Sequence, residues 1–224
     1  MRTAAILPVK RFTQAKQRLS GVIDDPLRLE LAEAMVRDVL DALAQTAPVE
    51  LIVVVTRESV IARAAVEQGA IVVGEEGERA GQSAAAALGI ARAAAEGAER
   101  VLCVPGDCPA LDPGELGDLL GAEGPEVVIV PDRHGTGTNG LLLSPPGAIE
   151  PSFGPGSCER HLGLAEQAGA RARVARPASL LLDIDTGADL DVLRGRLAGQ
   201  SGRAPRTRAV LAGSGLPPRL PSPA

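Results

Sequence analysis

Short apolar runs alternate with longer segments of helical period along most of this chain, and that alternation constrains the fold more than any other feature. Residues 4–9 read as a buried strand. Asp24-Asp25-Pro26 then marks a helix start, with Pro26 near the first helical position. Leu27, Leu31, Ala34, Met35, Val39 and Leu43 approximate one apolar face of the helix that follows. The spacing predicts further strands at 51–55, 70–73, 101–104, 127–130, 141–143, 171–175 and 180–182. Helices are predicted near 59–68, 82–96, 113–120, 158–167 and 188–197. Strands that alternate with helices build a mostly parallel sheet covered on both faces, an α/β Rossmann-like three-layer arrangement. Ligands bind such sheets beyond the carboxyl ends of the strands. Residues 1–198 are expected to form one domain. From 199 to 224 the chain is rich in Gly, Pro, Ser and Arg and reads as a mobile tail, with only Ala209-Val210-Leu211-Ala212 apolar enough to pack.

The loop after the first strand holds both lysines of the chain, Lys10 and Lys16, while the other 21 of its 23 basic residues are arginine. An ammonium is a compact point charge that can follow a phosphate, whereas a guanidinium is a rigid planar fork. The segment from Pro8 to Arg18 therefore reads as a phosphate site; the alternative is an arginine-rich composition with two incidental lysines. It is no Walker motif, which argues against a P-loop NTPase. The net charge of -5 leaves no global basic field, so nucleic acid is not an expected partner.

Two carboxylate motifs follow apolar runs. Asp107, in Val104-Pro105-Gly106-Asp107-Cys108-Pro109, stands at the rim where ligands bind and could hold Mg2+, which favours hard oxygen donors. The alternative is an Asp in an ordinary turn. In Asp183-Ile184-Asp185 an extended chain would point both carboxylates to one side, where they repel unless a cation lies nearby. The alternative is that Asp185 or Thr186 caps the next helix. Two glycine-rich segments, His134-Gly135-Thr136-Gly137-Thr138-Asn139-Gly140 and Phe153-Gly154-Pro155-Gly156-Ser157, allow close backbone approach and offer donors to an anion, the second at a helix start. Either could also be an ordinary turn. Taken together, the motifs describe a site for two phosphorylated ligands and a metal.

Other features narrow the class. Phe12 and Phe153 are the only aromatic residues, so a nucleobase would be held by backbone and aliphatic groups rather than between rings. Cys103, Cys108 and Cys158 are odd in number and irregular in spacing, which speaks against a disulfide framework and for a reducing compartment. Cys103 and Cys108 make a poor zinc pair, and His134 and His161 are too isolated to complete one. No long apolar run marks a signal core or a membrane span, so a cytoplasmic protein away from membranes is expected.

The chain resembles the 2-phospho-L-lactate guanylyltransferases, including the bacterial phosphoenolpyruvate guanylyltransferases, which act in biosynthesis of the deazaflavin coenzyme F(420). The resemblance is carried by Ile6-Leu7-Pro8-Val9-Lys10, Ala15-Lys16-Gln17-Arg18-Leu19, Pro105-Gly106-Asp107-Cys108-Pro109, Gly135-Thr136-Gly137-Thr138-Asn139, Phe153-Gly154-Pro155-Gly156-Ser157 and Asp183-Ile184-Asp185-Thr186. It implies a GT-A-like nucleotidyltransferase fold and GMP transfer from GTP to phosphoenolpyruvate or 2-phospho-L-lactate. It further implies Mg2+ on Asp107, Asp183 and Asp185. Lys10, Lys16 and Arg18 would serve catalysis with Asp107. GTP would lie against Leu7, Pro8, Val9, Lys10, Lys16, Gly81, Gln82 and Ser83. Thr138, Asn139, Gly154 and Ser157 would hold the acid. Two departures stand out: Cys108 where the family often has Leu, and Gly81-Gln82-Ser83 where it often has Gly-Leu-Asn. Rival readings are a nucleotidyltransferase for a sugar phosphate or molybdopterin, a GT-A glycosyltransferase, and a non-catalytic nucleotide-binding protein.

Overall fold

The computed structural model describes residues 1–14, 16–74, 81–121, 126–200 and 202–214. Among these residues seven strands form one sheet: β1 (Thr3–Val9), β2 (Leu51–Thr56), β3 (Ile71–Val73), β4 (Arg100–Cys103), β5 (Glu126–Pro131), β6 (Thr138–Ser144) and β7 (Ala172–Val174). Their order is β3-β2-β1-β4-β6-β5-β7. All pairs are parallel except those of β6, which runs antiparallel to β4 and to β5. This antiparallel insertion brings the start of β6 to the same sheet end as the last residues of β1 and β4.

The helices are α1 (Asp25–Ala44), α2 (Ser59–Glu67), α3 (Gln82–Ala95), α4 (Pro113–Leu120), α5 (Ser157–Gln167), α6 (Gly187–Ala198) and α7 (Pro205–Gly213). Alternate residues of β1 feed opposite layers, as the pleat requires. Ala5, Leu7 and Val9 pack with α1, α2 and α4, while Ala4 and Ile6 pack with α3. Residues of α5 join the second layer. Because both faces are covered, β1, β2 and β4 can be nearly continuous apolar runs. Gly89 lets α3 lie close on the sheet, since a Cβ there would come within 2.4 Å of the Ile6 side chain.

The α1 start is as the sequence predicts: the Asp24 carboxylate accepts from the Leu27 N–H at 2.9 Å, with Pro26 in the first turn. Two segments differ from expectation. Residues 180–182 form no strand; a 3-10 turn (Ala178–Leu180) leads into irregular chain as far as Asp185. No strand edge is offered to them, because the segment crosses over β6 rather than beside it. Gly140 permits the crossing, since a Cβ would stand 2.8 Å from Leu180. Burial still alternates, with Leu180, Leu182 and Ile184 buried and Asp183 and Asp185 outward.

The second difference is α7, which lies within the stretch read as a mobile tail. Its own N-cap residue, Ala204, supplies no side-chain bond. Asp38 on α1 does so instead, accepting from the Thr207 N–H at 2.8 Å and the Arg206 N–H at 3.2 Å. Leu211 and Ala204 complete a third cluster with Leu31 and Met35 of α1 and Leu190, Leu193 and Leu197 of α6. The part of that tail at 215–224 lies outside the described residues.

Candidate active site

The loops after β1 and β4, the start of β6 and the segment before α6 meet at one end of the sheet. A cleft there has two lobes, of about 200 Å3 and about 510 Å3. Both lobes are lined by Lys10, Gln82, Pro105, Asp107 and Asp185. These shared residues make the junction between the lobes.

Lys16, which lines the smaller lobe, bridges two residues of that junction. It sits in the left-handed backbone region, at φ 58°, and its side chain is 7% exposed. Its ammonium donates to Asp107 Oδ2 and, at 2.8 Å, to Asp185 Oδ1. Burial alone would drive the proton off. The adjacent Asp107 and Asp185 charges outweigh burial and hold the amine above its ordinary value. Burial likewise opposes charge on Asp185, but Lys16, with Arg18 and Lys10, keeps its carboxyl below the usual range. Asp183 behaves oppositely. Burial raises it, and repulsion from Asp107 and Asp185 adds to the rise against a hydrogen bond from Asn139.

The backbone fixes these groups. The Ile184 N–H donates to the Asp107 carbonyl at 3.0 Å, tying the two carboxylate segments together. Asn139 Nδ2 donates to the Leu180 carbonyl at 3.0 Å and to Asp183 Oδ1 at 3.1 Å. Thr186 caps α6 in a capping box with Asp189, so the capping role falls to Thr186 and leaves Asp185 in the cleft. Asp107 Oδ1 is buried and has no hydrogen-bond partner among the described residues. Among the described residues no three His, Cys, Asp or Glu side chains close into a metal-holding group. The reason is visible: Lys16 lies between two of the carboxylates, and Asp183 is turned to Asn139.

The smaller lobe is lined by Pro8, Val9, Lys10, Gly81 and Gln82, with Phe12, Ala32, Met35, Val36 and Ala85 as its apolar wall. Gly81 begins α3 at φ 148° with no side-chain cap. Leu7 does not reach the lobe; its side chain is fully buried in the core beneath it. Ser83 also turns away, its Oγ accepting from the Phe153 N–H at 2.8 Å and so linking α3 to the second glycine-rich loop.

The larger lobe gathers Thr138, Asn139, Gly154, Ser157 and Asp183, with Arg18 and Arg133 at its edge. Ser157 opens α5 and is fully buried, and among the described residues its Oγ has no hydrogen-bond partner. The Cys158 N–H donates to the Thr136 carbonyl at 3.2 Å, joining the two glycine-rich loops. Within the first of them, the Asp132 carboxylate accepts from the Thr136 and Gly137 N–H groups at 2.9 Å each. Burial would raise Asp132, but these amides hold it below its ordinary value.

Sequence reasoning missed several neighbours of the site. Met35 read only as part of the apolar face of α1 and Val36 was not singled out, yet both wall the smaller lobe, and the Phe12 ring faces it too. Arg133 pairs with Asp189 at 2.6 Å; the T-x-x-D pattern from Thr186 was the available signal for Asp189. His161 is fully buried behind the larger lobe, and nothing in its sequence context announces that. The three cysteines are free and buried. Among the described residues no helix is long and apolar enough to cross a membrane.

The architecture is that of solved nucleotidyltransferases. A nucleotidyl transferase from Methanothermobacter superposes with a TM-score of 0.64 over 89% of this chain and 99% of its own, at 20% identity. A phosphoenolpyruvate guanylyltransferase from Conexibacter woesei is 49% identical over 94% of this chain and 96% of its own length. A 2-phospho-L-lactate guanylyltransferase from Methanothermobacter thermautotrophicus is 34% identical over 85% of this chain and 83% of its own. The model of the "Guanylyl transferase CofC like" family matches residues 3–201, a span that takes in every lining residue of both lobes, and the chain belongs to that family.

Proposed function

We propose that the protein transfers GMP from GTP to a phosphorylated three-carbon acid, phosphoenolpyruvate or 2-phospho-L-lactate, and releases diphosphate, as a cytoplasmic step in coenzyme F(420) biosynthesis. The observation that carries this reading is the junction: two lobes of one cleft share Lys10, Asp107 and Asp185. In this reading the guanine nucleotide takes the lobe with the apolar wall, and the acid takes the lobe of hydroxyls and glycines. Relatives named for phosphoenolpyruvate, one at 49% identity, favour that acid.

Asp107, Asp183 and Asp185 would hold Mg2+. The buried Asp107 Oδ1, without a partner among the described residues, supports this, as does an all-oxygen donor set. The ion would supply charge neutralisation between the two anionic substrates. An oxygen of the acceptor phosphate bonds to the α-phosphorus while the bond to the bridging oxygen of the leaving diphosphate breaks. The acceptor oxygen is already anionic, so no general base is needed. Lys10 and Lys16 offset charge on the triphosphate side, and Thr138 and Ser157 orient the acid.

The test is diphosphate release by purified protein with GTP, Mg2+ and each acid. Release with neither acid overturns the reading. Asp107→Asn should abolish turnover with the fold retained; ordinary activity in that variant would reject the metal assignment.

A further inference from the structure

His161, on α5, has both ring nitrogens engaged. Nε2 lies 2.9 Å from the backbone nitrogen of Ser152, which can only donate. Nε2 therefore carries no proton, and in the neutral ring the proton sits on Nδ1. Nδ1 is 3.1 Å from Thr138 Oγ1. A protonated Nδ1 can only donate, so Thr138 Oγ1 accepts and its own proton must point elsewhere. Among the described residues Thr138 Oγ1 has no second partner, and Thr138 lines the larger lobe beside Ser157.

The ring is fixed. Its side chain is fully buried, and Phe153 meets it in an edge contact, with centroids 5.3 Å apart and planes at 75°. An imidazolium would aim an N–H at the Ser152 N–H, and burial penalises its charge as well.

We propose that His161 is a positioning residue, which holds Thr138 Oγ1 as the acceptor of its Nδ1–H so that the Thr138 hydroxyl proton is donated into the larger lobe, to an anionic oxygen of the acceptor substrate. A free threonine hydroxyl could equally turn its lone pairs toward the anion. The histidine removes that choice and makes Thr138 a committed donor. The inference rests on the reading of the larger lobe as the acceptor site.

Two substitutions separate the two nitrogens. An Asn amide nitrogen reaches the place of Nδ1 and can still donate to Thr138, whereas a Gln side chain reaches the place of Nε2 and leaves Thr138 unheld. With saturating GTP, His161→Asn should keep the acceptor KM within about threefold of wild type. His161→Gln should raise it about tenfold or more, the scale of one lost hydrogen bond. The GTP KM should move in neither. In the free wild-type protein, 15N NMR should find His161 protonated at Nδ1, and inorganic phosphate, titrated as the probe, should bind His161→Gln more weakly than His161→Asn. A ring protonated at Nε2, or equal acceptor KM and phosphate affinity in the two variants, overturns the inference. If wild type turns over none of the acids, the functional reading falls, and the tautomer and phosphate titration still decide this one.

Discussion

The ammonium of Lys16 and the carboxylate of Asp185, 169 residues apart in the chain, meet at 2.8 Å where the two lobes of the cleft join. Asp107 takes the same ammonium from the other side. One lysine thus joins the loop after β1, the loop after β4 and the segment before α6. Two carboxylates this near one another repel strongly without a cation between them. The contact also means that Lys16 and a divalent ion would compete for the same oxygens; under the proposed function, a lysine displaced by the ion would be free to meet the nucleotide's phosphates.

The first prediction follows from that competition. Lys16→Met should lower kcat by roughly 10²-fold or more, the usual cost of losing a donor to developing charge. Lys16→Arg should do little better, because a planar fork cannot sit as a point charge between two carboxylates. In the nucleotide-free protein, Lys16→Met should show a larger rise in melting temperature with Mg2+ than wild type, since the internal rival is gone. Wild-type turnover in Lys16→Arg, or no change in the Mg2+ response of Lys16→Met, would remove Lys16 from the junction.

Much of the layer architecture was legible because it depends on local pattern. Apolar runs buried on both faces read as strands, and Asp24-Asp25-Pro26 reads as a helix start; both are properties of neighbours in sequence. The candidate site was legible as motifs but not as contacts. Leu7 belongs to a motif yet is buried beneath the cleft, and Ser83 belongs to another yet bonds to Phe153. Asn139 was read as a substrate ligand, and its amide hydrogens go to Leu180 and Asp183. The segment at 180–182 has the composition of a strand, but strand pairing needs an open edge, and crossing β6 offers none. Partners distant in sequence decided each of these cases, and no window along the chain contains them.

The helix α7 shows the same dependence and gives the second prediction. Its cap is Asp38, whose fully buried side chain lies on α1. Asp38→Ala should cost roughly 1–2 kcal/mol, the range for a lost helix cap. Release of α7 exposes Arg203, Arg206 and Arg208, so trypsin should cut there about 5–30 times faster. Turnover should be unchanged, since neither lobe is lined by α7. Wild-type cleavage rates in this variant would show that α7 is held by its apolar contacts alone.

Gly89 tests the packing of α3 on the sheet. Alanine favours a helix interior over glycine by about 1 kcal/mol. Here the new Cβ would lie 2.4 Å from Ile6 and 3.0 Å from Val55. Both are buried strand side chains with little room to move, and overpacking costs about 1–3 kcal/mol. The clash should win, so Gly89→Ala lowers the urea midpoint. Gly195→Ala, in α6, where among the described residues a Cβ would meet nothing within 4 Å beyond its chain neighbours and its own helix backbone, should raise it. A rise in both would mean that α3 can shift off the sheet without penalty.

His161 links the buried polar chemistry to acid stability. Burial, with the Arg160 charge beside it, lowers its value from the ordinary 6.5 to about 4. Above pH 6.5 the ring is neutral in both folded and unfolded chains and adds no pH dependence. Between 6.5 and 4 the unfolded chain binds a proton that the folded chain refuses, so stability falls as pH falls. The loss from this one group approaches about 3 kcal/mol by pH 4. Other groups titrate in the same range, so the informative quantity is a difference. His161→Asn should be less stable than wild type at pH 7.5, where it lacks the Ser152 contact, and the gap should narrow or reverse by pH 4.5. Urea unfolding of both proteins across that range measures it. A constant gap would mean that His161 is protonated in the folded protein as readily as in the unfolded chain, and that its Nε2 does not accept from Ser152.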